Sequence, residues 1–191
     1  DNRYYLKELY DAELYIKDRL CFLNDMSKRE LPKLEEKLES LEKKNHIKYD
    51  DMQKKAIIKA INNNLTIITG GPGTGKTTII KAIVSLLKDT CKVKLEDIAL
   101  LAPTGRASKK MMESTGVSAS TIHKYLGWDK ERNMFRVDAY HPNQEDYIIV
   151  DETSMIDTVL MSSLLKGIKR DAKLILVGDY FQLPSVSQGL S

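Results

Sequence analysis

Apolar positions along this 191-residue chain follow two different periods. Over residues 2–25 they recur at spacings of three and four, at Leu6, Leu9, Ala12, Ile16, Leu20 and Leu23, which predicts an amphipathic helix. A second helix is expected after Ser27, whose spacing to Glu30 is that of a capping box, with Pro32 suited to a first helical turn. In "LEEKLESLEKK" the side chains Leu34, Leu38 and Leu41 share one stripe among charges. Residues 1–49 therefore read as an N-terminal helical segment, either a hairpin packed on the domain after it or an arm for a partner.

From residue 50 the pattern changes. Asp50 or Asp51 can cap a helix through Gln53, Ala56, Ile57, Ala60 and Ile61, ended by Asn62, Asn63 and Asn64. Then come short apolar runs without alternation: "LTIIT" (65–69), "IALLA" (98–102), "YIIVD" (147–151) and "KLILV" (173–177). Helical patterns lie between them at 76–88, about 105–114 and 155–166. Short runs rich in β-branched residues and separated by helices predict an α/β fold, a parallel sheet sandwiched by helices over residues 50–191. The polar stretch 126–146 interrupts this order. It is expected to be a surface loop in which a turn near Glu131, Arg132 and Asn133 joins two short strands.

Composition narrows the class without naming a function. With 42% apolar and 30% charged residues, 10 Gly and 5 Pro, the chain has the make-up of a soluble globular protein. No apolar run approaches the roughly 18–20 residues needed to span a membrane, and nothing near the start resembles a signal peptide. Cys21 and Cys91 belong to no metal or redox spacing, so a reduced, cytoplasmic protein with no membrane partner is expected. The net charge of +3 permits a nucleic-acid partner but does not argue for one. The first residue is Asp1 rather than Met, which suggests processing or a shortened chain.

The chemistry resides in motifs. Gly70-Gly71-Pro72-Gly73-Thr74-Gly75-Lys76-Thr77 fits G-x-x-x-x-G-K-[ST], and it follows one apolar run and opens a helix, the setting a phosphate cradle requires. Its glycines let backbone N–H groups converge on one concavity, and the helix N-terminus adds positive potential. Lys76 would reach the β- and γ-phosphates of ATP, and the Thr77 hydroxyl would ligate Mg²⁺. "YIIVDET" ends its apolar run on Asp151 and Glu152, at the strand end where open parallel sheets bind ligands. Asp151 is expected to hold Mg²⁺ through water and Glu152 to polarise the attacking water. In "KLILVGDYFQLP" the amide of Gln182 is placed to touch the terminal phosphate or that water, with Asp179 as a support at the same edge. Upstream, Gln53 can pair with both edges of adenine, or be an exposed helix residue. In "LLAPTGRASKK", Pro103, Thr104, Gly105 and Arg106 offer hydroxyl, backbone N–H and guanidinium to a phosphate. In "SASTIHKYLG", Thr121 and His123 offer a phosphate contact and a stacking ring. Taken singly, these two segments also read as ordinary caps and core residues.

In their order, these segments resemble the motifs of the RecD-like helicases of superfamily 1B, the group of the exodeoxyribonuclease V alpha subunit. The residues carrying the resemblance are Gln53, "GGPGTGKTT", "APTGRAS", "STIHKYLG", "VDETSM" and "GDYFQLPSV", over about residues 50–190. The resemblance implies a RecA-like P-loop NTPase domain that takes ATP and Mg²⁺, with Gly71 to Thr78 at the nucleotide and Pro103 to Arg106, Thr121 and His123 at single-stranded DNA. It implies 5′–3′ translocation by two RecA-like domains, helicase or nuclease partner subunits, and a strand-separating hairpin in the place of residues 127–146. The chain departs from the family pattern in lacking the second RecA-like domain. The expectation is thus a first motor domain that binds Mg²⁺-ATP and turns it over barely by itself, because hydrolysis without the partner domain's arginine falls by roughly 10³–10⁵. Two rivals share the nucleotide motifs: an AAA-type remodelling ATPase and a catalytically silent nucleotide- or DNA-binding module. Neither calls for "PTGRA", "STIH" and "GDYFQLP" in this order.

Overall fold

The computed structural model describes residues 2–26, 28, 30–71 and 75–179. Pro72, Gly73, Thr74 and Gln182, all expected at the nucleotide, lie outside the described residues, as does Ser27 of the expected cap. Helix α1 (Asn2–Asp25) and helix α2 (Leu34–Asn45) form as the apolar spacing predicts. The start of α2 differs from expectation. Its N-cap is Lys33, in the left-handed region with φ 60° and without a side-chain cap, so Glu30 and Pro32 precede the helix. Burial of Leu34, Leu38 and Leu41, each at most 4% exposed, is what fixes this helix.

Helix α3 (Asp51–Asn62) leads into β1 (Leu65–Thr69), and α4 (Lys76–Ser85) runs on through a wider π-type turn at Leu86–Thr90. There follow β2 (Ile98–Ala102), α5 (Gly105–Thr115), β3 (Ser120–Thr121), the single turn α6 (Ile122–Tyr125), β4 (Trp128–Asp129), β5 (Met134–Phe135), β6 (Tyr147–Val150), α7 (Thr158–Gly167) and β7 (Lys173–Gly178). The described strands of the main sheet stand in the order β1-β7-β6-β2-β3, with every pairing parallel.

Why the apolar runs do not alternate is plain from the packing. Ile149, Ile175, Val177 and Leu100 point to one face, under α2, α3, α4 and α5. Their neighbours Ile148, Val150, Leu174, Leu176 and Leu101 point to the other, under α1, α6 and α7. Both faces of a strand are buried, so both sets must be apolar. At about 1.5–3 kcal/mol per buried aliphatic side chain, the two layers dominate the stability of the fold. β1 is the exception: it is the outermost strand on its side, and Ile67 is exposed between buried Thr66 and Ile68.

The helical segment before residue 50 packs on the sheet rather than standing clear of it. Ile16, Leu20 and Leu23 join the layer with α7, and buried Arg19 donates to the Arg170 carbonyl oxygen at 3.1 Å. The Arg170 guanidinium lies over the Phe22 ring, 4.1 Å from its centroid.

Residues 126–137 form a short antiparallel hairpin. The pairs Trp128–Phe135 and Asp129–Met134 face each other, and Arg136 N–H donates to the Gly127 carbonyl at 3.1 Å. Its turn is held by Asp129 Oδ1, which accepts from the N–H groups of Glu131 and Arg132, while Asn133 takes the left-handed conformation. Among the described residues no helix is long and apolar enough to cross a membrane.

Candidate functional site

In a parallel sheet all carboxyl ends lie at one edge, and here that edge collects every described motif. Register fixes their neighbours: Thr69 stands beside Gly178, Leu101 beside Val150, and Ala102 beside Thr121. The edge thus runs from Gly70 through Asp179, Asp151 and Pro103 to Thr121. With strands about 4.8 Å apart, the nucleotide motifs and the proposed nucleic-acid motifs lie within a few strand spacings of each other.

At the β1 end, the first turn of α4 carries Lys76 and Thr77. Gly75 precedes it at φ 82°, a conformation that favours glycine. A Cβ on Gly75 would lie 2.4 Å from Gln53 Nε2, so the glycine also makes room for that amide. Gln53 is tied down from the other side. Its Oε1 accepts from Asp50 N–H at 3.1 Å, while Asp50 Oδ1 accepts from Gln53 N–H at 2.8 Å, a reciprocal cap on α3. The cap leaves the Nε2 group facing the phosphate loop. A cleft of about 560 Å³ opens alongside, lined by Met52, Gln53, Ala56, Ile67, Gly70 and Lys76 among others. That volume lies within the usual range for small-molecule sites.

Lys76 is mostly buried and its ammonium is engaged. It donates to the Gly70 carbonyl and pairs with the carboxylate of Asp179, at the end of β7. On the neighbouring strand β6, Asp151 N–H donates to the Leu101 carbonyl at 2.9 Å, and Asp151 Oδ1 accepts from Glu152 N–H at 2.8 Å. Burial pushes the Asp151 carboxyl above its ordinary range; the Glu152 N–H bond and the Lys76 charge oppose this, and Asp179 reinforces it. Glu152 itself sits at φ 55°, ψ 41°, an uncommon conformation for glutamate that turns the chain sharply after the strand.

Thr153 shows why the turn holds. Its buried hydroxyl donates to the Val177 carbonyl at 2.8 Å, linking the exit of β6 to that of β7. Gly178 allows the approach, because a Cβ there would meet Thr153 N and Ser154 N at 3.3 and 3.4 Å. Thr153 and Gly178 lie in segments that stood out in the sequence, but neither residue was given a role there. Each stands next to an acid already singled out, and a small polar residue after a strand-ending acidic pair was the available signal.

At the other end, Thr104 caps α5, its hydroxyl accepting from Ala107 N–H at 3.1 Å, and Gly105 and Arg106 are exposed at the helix start. Thr121 caps α6 likewise, accepting from Lys124 N–H at 3.2 Å. The His123 ring is exposed yet engaged with the hairpin: its centroid lies 5.9 Å from Trp128 and 5.6 Å from Phe135. The base of the hairpin is pinned by Tyr125, whose hydroxyl donates to Glu145 at 2.8 Å. Burial, with that bond to Glu145, pushes the Tyr125 hydroxyl far above its ordinary range, so it stays a proton donor.

The residues at the β1–β7–β6 end fit a nucleotide with its metal. The bend at Gly75 leaves no space for a side chain, the buried ammonium of Lys76 requires anions, and the donors Thr77 and Asp151 are hard oxygens. Mg²⁺ takes one or two such donors together with phosphate oxygens. Among the described residues no cluster of three or more His, Cys, Asp or Glu stands anywhere.

Comparison with known proteins agrees with this geometry. The family model described as "AAA domain" matches residues 53–188. The chain belongs to that family. Curated proteins similar to it carry RecD names. The RecBCD enzyme subunit RecD of Haemophilus influenzae is 39% identical over 160 residues, covering 73% of this chain and 25% of that protein. The ATP-dependent RecD2 DNA helicase of Deinococcus radiodurans is 44% identical over 128 residues, covering 67% of this chain and 17% of that protein. The chain thus spans a quarter or less of these two relatives. Among solved structures, the Pif1 helicase from Candida albicans matches with a TM-score of 0.50 at 21% identity, covering 72% of this chain and 34% of that one. That likeness concerns the fold, a RecA-like sheet between helices. Membership of this P-loop family implies nucleotide binding.

Proposed function

We propose that this chain is the ATP-binding first motor domain, over residues 50–191, of a 5′–3′ DNA helicase or translocase. The observation that supports this most is the single sheet edge that carries Lys76, Asp179, Asp151 and Glu152 beside Thr104, Arg106 and Thr121. A nucleotide at one end and a nucleic-acid strand at the other would be joined by contiguous strands, which is what converting hydrolysis into movement requires.

In this reading Gln53 and Gly71 to Thr78 hold the nucleotide, and Lys76 reaches its terminal phosphates. Thr77 and Asp151 hold the Mg²⁺, which when bound neutralises charge on the phosphate oxygens. Glu152 orients and deprotonates the attacking water, its position set by the left-handed turn and by Thr153. Gln182 acts as the sensor of the terminal phosphate. Thr104 and Thr121 hold their helix N-termini toward the strand's phosphates, Arg106 supplies a cation, and His123 presents a ring to a base. The hairpin at 127–146 acts as the strand-separating wedge. A second RecA-like domain outside this chain would close the site and supply the arginine, and residues 1–49 would brace the motor. Single-stranded DNA is the proposed track and the cytoplasm the proposed setting. Association with helicase and nuclease subunits is proposed from the H. influenzae relative, a subunit of the RecBCD enzyme.

An AAA-type remodeller is not favoured, since the curated relatives carry RecD names and the motifs beside β2 and β3 face the same edge. Binding of labelled poly-dT, measured with and without a non-hydrolysable ATP analogue, tests the proposal. Nucleotide-dependent DNA affinity in the longer parent protein supports it; ATP binding that DNA never influences would remove it.

A further inference from the structure

Lys76 has a protein anion as its partner. Its ammonium, buried beside the sheet edge, pairs with Asp179 and donates to the Gly70 carbonyl. An ammonium has three donors, so these contacts take two of them. A polyphosphate would demand the same group. It would also bring charge of the same sign as Asp179 and Asp151. Carboxylate and phosphate are therefore rivals for one cation.

We infer that Asp179 is an internal competitor of the nucleotide phosphates for Lys76, a positioning residue that exchanges places with phosphate on binding. This rests on the reading of residues 70–77 as a nucleotide site and names how that site is regulated. The backbone around Asp179 suits an exchange. Gly178 ends β7 where Thr153 and Ser154 leave only tight room for a side chain, whereas the Asp179 side chain is 50% exposed and has room to swing into solvent. The competition also lowers intrinsic affinity for phosphate, which sets release as well as entry.

The test is calorimetric titration of the purified chain, wild type, Asp179→Asn and Asp179→Glu, with sodium tripolyphosphate, ATP and adenosine. Asp179→Asn is expected to bind tripolyphosphate and ATP about 3- to 10-fold tighter, with adenosine unchanged, the effect shrinking at high salt. Asp179→Glu is expected to stay near wild type, because it restores the charge. Unchanged or weaker phosphate binding by Asp179→Asn, with wild type binding normally, overturns the competitor and leaves the nucleotide site standing. A folded wild type that binds neither ATP nor tripolyphosphate overturns both. A second measurement needs no variant: the Asp179 carboxyl ¹³C resonance of wild type is expected to shift on adding tripolyphosphate but not adenosine. An unmoved resonance at saturation overturns the exchange.

Discussion

The hydroxyl of Thr153 donates to the carbonyl oxygen of Val177 at 2.8 Å, and this one bond joins the ends of the two central strands of the sheet that carry the acidic residues. The bond is buried, and its two ends lie next to Glu152 and just before Asp179 in the chain. Thr153→Val keeps the shape and removes this donor to a buried carbonyl. It is expected to cost about 1–3 kcal/mol in urea unfolding and to lower nucleotide affinity. Thr153→Ser should restore most of both. A valine variant as stable as wild type removes the structural role.

Gly75 faces two constraints at once, a positive φ and the nearness of Gln53. Gly75→Ala is expected to weaken ATP binding at least tenfold and to cost about 1–2 kcal/mol of stability. Adding Gln53→Ala relieves the clash but not the backbone strain, so the double variant should recover stability only in part. Full recovery would mean that the clash alone mattered.

Asp151 is half-buried, and its carboxyl prefers the neutral form more than an ordinary one does. Because its folded value lies above the ordinary value, its contribution to stability is fully present below the ordinary value and is lost as pH rises through the raised one. At neutral pH the ionised group therefore opposes folding, and Asp151→Asn should raise the melting midpoint of the nucleotide-free chain by on the order of 1–2 °C. The same variant should lose Mg²⁺-dependent ATP binding. A lower midpoint would contradict the burial argument.

The proposed roles of Glu152 and Lys76 separate in kinetics. In the parent protein, Glu152→Gln is expected to bind ATP normally with turnover reduced by roughly 10²–10⁴. Lys76→Ala should lose binding and turnover together. Wild-type turnover in Glu152→Gln would remove the general base from Glu152.

His123, Trp128 and Phe135 form one ring cluster, with Trp128 and Phe135 centroids 4.9 Å apart. His123→Ala and Trp128→Ala should therefore be non-additive, coupling by about 0.5–1.5 kcal/mol in a double-variant stability cycle. Additive effects would mean that the hairpin is positioned without His123.

The sequence by itself determined the strands and helices after residue 50. Runs such as "IALLA" and "LILV" have no polar position, and only a strand buried on both faces tolerates that. It marked Gly75 as well, since glycine at positive φ beside Lys76 is a local backbone requirement written directly in residue types. The start of α2 was not legible in the same way. The Ser27–Glu30 spacing is a local signal, but burial of Leu34, Leu38 and Leu41 against α3 set the helix instead, with Lys33 in a left-handed cap.

Tertiary structure alone decided what the motif residues touch. Spacing along the chain carries no information on strand order, so only the sheet could put Asp179 on Lys76 and Thr121 beside Ala102. His123 read as a stacking ring or an ordinary core histidine; folding set it against Trp128 and Phe135, because the hairpin returns over the short helix that bears it. Residue types specify local backbone and burial, whereas partners distant in sequence are chosen by how the strands line up.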